Sequence, residues 1–125
     1  MEPIRILLVE DNDVYRASLE LLLGLEPGLE VVGSVSDGAA ATAACAETGA
    51  DVVLIDFRLP GIDGAATTAA VRDACPGAAV VCLTAEATEI EDKAVRKAGA
   101  VALVRKGGPL EELVAAIRLA AGGRQ

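Results

Sequence analysis

Glu10, Asp11, Asp56, Thr84 and Lys106 each lie at the end of a short run of β-branched and other apolar residues. Three are carboxylates, one is a hydroxyl and one is an amine. The chain has no histidine, so the commonest general base and transition-metal ligand is missing. Chemistry therefore falls to carboxylates, hydroxyls, lysine and a hard cation. Two unit charges roughly 5 Å apart repel by about 3 kcal/mol at an effective dielectric near 20. Bringing Glu10, Asp11 and Asp56 together thus demands positive charge. Lys106 supplies one unit, and a divalent ion that takes oxygen ligands, Mg²⁺ or Mn²⁺, supplies two. Such an ion also makes Asp56 a workable nucleophile towards a phosphoryl group by neutralising both partners, with Thr84 and Lys106 binding the phosphoryl oxygens.

The elements that must position these residues alternate strictly. Strand-like runs occupy 4–9, 30–35, 51–55, 79–83 and 100–104, and helical segments lie near 13–25, 37–48, 64–75, 88–98 and 109–121. Five βα units predict an α/β fold with a doubly wound, five-stranded parallel sheet and right-handed crossovers. In such sheets, sites form beyond the carboxyl ends of the strands at the topological switch point. With the flavodoxin-like strand order 2-1-3-4-5, the first and third strands are neighbours and Glu10, Asp11 and Asp56 converge. Asp13 and Ser36 or Asp37 are candidate helix caps, and Thr88 with Glu91 reads as a capping box. Pro109 suits a helix start, and Gly24, Gly49, Gly99 and Gly122 fall where helices should stop. Residues 1–121 read as one domain, with 122–125 as a tail or the start of a linker.

Composition narrows the function. Apolar residues make up 53% of the 125 and aromatics only 2%, so Ala, Val, Leu and Ile must build the core. A net charge of −8 argues against direct nucleic-acid binding, which needs clustered Lys and Arg. No apolar run reaches membrane-spanning length, and a cytoplasmic location is expected. Cys45, Cys75 and Cys82 lack metal-ligand spacing and read as buried structural thiols. Asp11-Asn12-Asp13 superficially resembles a calcium loop, but the glycine and terminal glutamate that loop requires are missing.

Taken singly, each polar residue has an ordinary reading as a helix cap, a turn residue, a strand-end hydroxyl or a solvated loop charge. Together the segments ILLVEDND (6–13), VLIDFRLPGIDG (53–64), VVCLTA (80–85) and AGAVALVRK (98–106) resemble the response-regulator receiver domains of two-component systems. The stretches 28–38 and 110–123 are most similar to the NarL/LuxR class. The resemblance implies that Asp56 is the phosphoacceptor and that a phosphohistidine on a sensor histidine kinase is the donor. It implies that Asp11, Asp56 and the backbone carbonyl of Arg58 ligate Mg²⁺, with Glu10 acting mostly through metal-bound water. Thr84, the backbone N–H of Ala85 and Lys106 would hold the phosphoryl group. Output would be transcriptional, through a DNA-binding domain absent from these residues, leaving either a fragment or a stand-alone receiver. Phosphorylation would bias a two-state equilibrium, with a possible homodimer through either the face of the fourth helix, fifth strand and fifth helix or the first and last helices of the fold.

Two positions depart from the family pattern. Leu103 stands where Tyr or Phe is common, and it cannot present a ring to couple with Thr84. Gly107 follows Lys106 where a cis proline is common, so a trans or differently shaped loop is expected. Arg58 and Glu86, each two residues past a site residue, are expected to meet over the pocket and slow loss of the phosphoryl group. Two other functions compete. One is a phosphorylation-independent receiver-like interaction module. The other is a phosphatase of the haloacid-dehalogenase type, disfavoured by the short chain and by the absence of an acidic pair after the fourth strand. Turnover enzymology is not expected.

Overall fold

The computed structural model describes residues 2–122. Strands β1 (Ile4–Val9), β2 (Leu29–Val35), β3 (Val52–Asp56), β4 (Ala79–Thr84) and β5 (Ala102–Arg105) alternate with helices α1 (Asp13–Gly24), α2 (Ala41–Thr48), α3 (Gly64–Ala74), α4 (Glu89–Ala98) and α5 (Leu110–Gly122). The sheet runs β2-β1-β3-β4-β5, with every pair parallel. This is the expected doubly wound arrangement.

Alternation along each strand explains the two layers of helices. In β1, Ile6 and Leu8 face one core with Leu19 and Leu23 of α1 and Leu113 and Ile117 of α5. Leu7 and Val9 face the other core with Cys45 of α2, Val71 of α3 and Val95 of α4. Side chains of adjacent strand residues point to opposite faces, so a strand covered on both sides must be continuously apolar. Strands β3 and β4 are buried throughout, whereas the edge strands β2 and β5 are only partly covered.

Several local expectations need correction. Asn12, not Asp13, caps α1, its side chain accepting from the Tyr15 N–H. Asp37 caps a 3₁₀ turn, Gly38–Ala40, that leads into α2. Gly24 is the last residue of α1 rather than its stop, and Leu25 follows in a right-handed conformation. Gly49 and Gly99 do end their helices, with φ of 64° and 114°. Helix α5 starts one residue after Pro109 and includes Gly122, and residues 123–125 of the expected tail lie outside the described residues. Cys45 and Cys82 are buried, but Cys75 is only half-buried. Burial pushes the Cys45 thiol up to about 12 and the Cys82 thiol up to about 11, which suits packing groups rather than nucleophiles. Among the described residues, no helix is long and apolar enough to cross a membrane.

Candidate functional site

The carboxyl edge of the sheet gathers the sequence-predicted residues. Asp56 and Thr84 are the last residues of β3 and β4, one place further into the strands than expected, while Glu10 follows β1 and Lys106 follows β5. Backbone hydrogen bonds lock these ends together. The Glu10 N–H donates to Val35 at 3.0 Å, Phe57 to Leu83 at 2.7 Å and Lys106 to Thr84 at 2.7 Å. The strand ends therefore hold their side chains in fixed register.

Glycine permits a further close approach at Gly64. A Cβ there would lie against the Phe57 Cα and 2.7 Å from the Asp56 carbonyl oxygen. Its N–H donates to the Phe57 carbonyl at 2.8 Å. The first turn of α3 thus sits directly on the chain leaving Asp56.

Glu10, Asp11 and Asp56 each offer a carboxylate oxygen, all within 4.8 Å of one another. Glu10 and Asp56 are buried, while Asp11 lies exposed at the mouth. Lys106 Nζ stands 2.7 Å from Glu10 Oε1 and 3.0 Å from Asp56 Oδ2. It also lies over the Tyr15 ring, 4.8 Å from the centroid, close enough for a cation–π attraction. Burial raises the Glu10 pKa above its usual value, although the Lys106 hydrogen bond opposes the shift. Burial works against charge on Lys106, but hydrogen bonds to Glu10 and Asp56 prevail and hold its pKa above the ordinary lysine value. Burial likewise raises the Tyr15 pKa. One ammonium beside three carboxylates leaves negative charge in excess, and the donor set is oxygen only. That chemistry fits a hard divalent cation.

Neighbouring groups set the orientation of the carboxylates. The Asn12 N–H donates to Glu10 Oε2 at 3.0 Å, and the Arg58 N–H donates to Asp56 Oδ1 at 3.1 Å. All peptide bonds among the described residues are trans, and Gly107 takes a left-handed φ of 79° in the loop after Lys106. That is the differently shaped loop expected there.

Two site features were not anticipated. Tyr15 carries no strand-end signal in the sequence, although it lies one helical turn beyond Asp11 and is the only tyrosine in the chain. Glu91 reads in the sequence as part of a capping box. Its N–H does donate to Thr88 Oγ1 at 3.1 Å. Its side chain, however, accepts from Thr84 Oγ1 at 2.7 Å and from Arg58 at 3.0 Å. The expected meeting of Arg58 with Glu86 is therefore replaced by an Arg58–Glu91 ion pair. Glu86 contributes a long backbone contact instead, its N–H 3.4 Å from Thr84 Oγ1.

Comparison with known proteins matches this geometry. The family described as response regulator receiver domain matches residues 6–118. The response regulator GacA of Pseudomonas viridiflava is 34% identical over 122 residues, covering 98% of this chain and 57% of GacA. Protein-glutamate methylesterase/protein-glutamine glutaminase 5 of Myxococcus xanthus is 38% identical over 133 residues, covering 98% of this chain and 38% of that protein. The signal receiver domain of NarL from Mycobacterium tuberculosis superimposes with a TM-score of 0.92 at 31% identity, covering 98% of this chain and 99% of that one. The chain spans little more than half of GacA and a smaller share of the methylesterase. It belongs to the response regulator receiver domains, the phosphoryl-accepting units of two-component signalling, and NarL and GacA are among its similar relatives.

Proposed function

We propose that Asp56 is the residue that takes the phosphoryl group, from a phosphohistidine of a sensor histidine kinase. The observation that carries this reading is the environment of Asp56: a buried carboxylate at a strand end, 3.0 Å from Lys106 and clustered with Glu10 and Asp11. In the transfer, an Asp56 carboxylate oxygen forms a bond to phosphorus and the phosphorus–nitrogen bond breaks. The bonding pair stays on the imidazole nitrogen, and an acyl phosphate results. Lys106 offsets charge on the incoming oxygens, and the Thr84 hydroxyl at the end of β4 and the N–H of Ala85 just after it are the further donors.

Asp11, Asp56 and the Arg58 carbonyl would hold Mg²⁺ or Mn²⁺, with Glu10 acting through water. Bound there, the ion would neutralise charge on both the nucleophile and the phosphoryl group. The module accepts the group and then releases it, without turning over a substrate of its own. Its output is regulation of transcription through a DNA-binding domain, as the resemblance of residues 28–38 and 110–123 to the NarL/LuxR class implies. A cytoplasmic location follows from a kinase partner on that side. Exposed Val14 and Leu21 on α1, Leu25 just after it and Leu119 on α5 support that pair of helices as the surface for a homodimer.

Intact mass after incubation with acetyl phosphate tests the reading. A single Mg²⁺-dependent phosphoryl adduct is expected on the wild type and none on Asp56→Asn. An adduct retained by Asp56→Asn overturns the assignment of the acceptor. No adduct from either acetyl phosphate or a phosphorylated kinase favours the phosphorylation-independent module.

A further inference from the structure

Glu91 is a buried carboxylate that lies outside the Glu10–Asp11–Asp56 cluster. It sits in the first turn of α4, and its two oxygens have different partners. Oε1 accepts the Thr84 hydroxyl at 2.7 Å, and Oε2 accepts from the Arg58 guanidinium at 3.0 Å. Three elements therefore meet at one side chain: the end of β4, the loop after β3 and the start of α4.

A threonine hydroxyl has a single proton to donate. In this structure that proton is committed to a carboxylate, and hydrogen bonds to ionised acceptors are roughly twice as strong as neutral ones. A phosphoryl oxygen on Asp56 is a second anionic acceptor for the same proton, so the two compete. Leu103, paired with Cys82 in the sheet, has no polar side-chain atom with which to enter this contest. The side chain positioned to hold Thr84 is thus on α4 rather than on β5. Arg58 is 65% exposed, so it can return to water when Glu91 is removed, and the remaining loss falls on Thr84.

We propose that Glu91 is a positioning residue that restrains Thr84 in the unphosphorylated state, so that the phosphoryl group must break the Thr84–Glu91 hydrogen bond and thereby releases the first turn of α4. This rests on Asp56 being the phosphoryl site. A ligand must supply the free energy to shift such an equilibrium, and its apparent affinity falls by the fraction of molecules held in the wrong state. Removing the restraint therefore tightens binding of a phosphoryl analogue.

The test is the dissociation constant of fluoroberyllate in the presence of Mg²⁺, read by ¹⁹F NMR. The proteins are the wild type, Glu91→Ala, Glu91→Gln, Thr84→Ala and each Glu91 variant combined with Thr84→Ala. Glu91→Ala is expected to bind about tenfold more tightly than the wild type, on the order of one charged hydrogen bond. Glu91→Gln, which keeps the volume and a neutral acceptor, is expected to fall between them. In the Thr84→Ala background, neither Glu91 change is expected to alter affinity, as a double-mutant cycle requires. Unchanged or weaker binding by Glu91→Ala overturns the proposal, as does equal tightening with and without the Thr84 hydroxyl. If Glu91→Ala does not fold, Glu91→Gln in the two backgrounds carries the same comparison. A wild type that takes up no fluoroberyllate defeats the phosphoryl reading of Asp56 itself, and the role of Glu91 falls with it.

Discussion

Glu10 shows how a single residue links burial to the pH dependence of folding. Burial raises its pKa in the folded state above the ordinary value of 4.5, against the pull of Lys106. The folded protein therefore holds this proton at a pH where the unfolded chain has released it, so stability falls as pH rises through the window above 4.5. In metal-free buffer, Glu10→Gln should match the wild type near pH 4 and gain on it as pH climbs. Urea midpoints across that range measure the difference, and parallel curves would contradict it. The carboxylates, Thr84 and Lys106 were legible in the sequence because each closes an apolar run. Glu91 was not, because the pattern Thr88-x-x-Glu91 describes a local cap and contains nothing about Thr84. Only the folded chain brings that competing hydroxyl within 2.7 Å. For the same reason the Arg58–Glu86 pairing failed: sequence spacing put both residues near the pocket, but Glu91 offers Arg58 a carboxylate at 3.0 Å.

The elements themselves were read more easily than their ends. Strand and helix alternation follows from hydrophobic periodicity, which spans many residues, whereas a cap depends on one side chain reaching one N–H. Asn12 and Asp13 are both good caps by type, and the hydrogen bond to Tyr15 decides for Asn12. Gly64 presents the opposite case, a residue that in sequence only opens a helical segment and whose real constraint is space. Its α-hydrogen faces the backbone of Asp56 and Phe57 with no room for a methyl group. Gly64→Ala should therefore destabilise the fold by about 1–3 kcal/mol through overpacking. It should also slow phosphorylation, because the chain after Asp56 must shift. Denaturant midpoints check the first effect and adduct formation the second. A neutral substitution would show that α3 can move away without cost.

At the scale of the whole molecule, the strand order brings β1 and β3 together and so creates an acidic pocket that one lysine does not neutralise. A ligand that binds only the folded state stabilises it by mass action, by about 2.7 kcal/mol at a hundred times its dissociation constant. Mg²⁺ should therefore raise the melting temperature of the wild type, and Asp11→Ala should lose most of that shift. A wild type indifferent to Mg²⁺ would count against the metal assignment. The overall topology was legible because five alternating units leave few right-handed, doubly wound arrangements. The contacts of Glu91 with Thr84 and Arg58 were not, since they depend on side chains from three separate elements.

The central claim, that Asp56 carries the phosphoryl group, is tested most directly by chemical mapping. Borohydride reduces an acyl phosphate to an alcohol but leaves a free carboxylate intact, so it converts a phosphorylated aspartate to homoserine. Peptide mass mapping after phosphorylation and reduction should place homoserine at position 56, only when Mg²⁺ and the phosphodonor were both present. Homoserine at any other aspartate, with position 56 unchanged, would contradict the account.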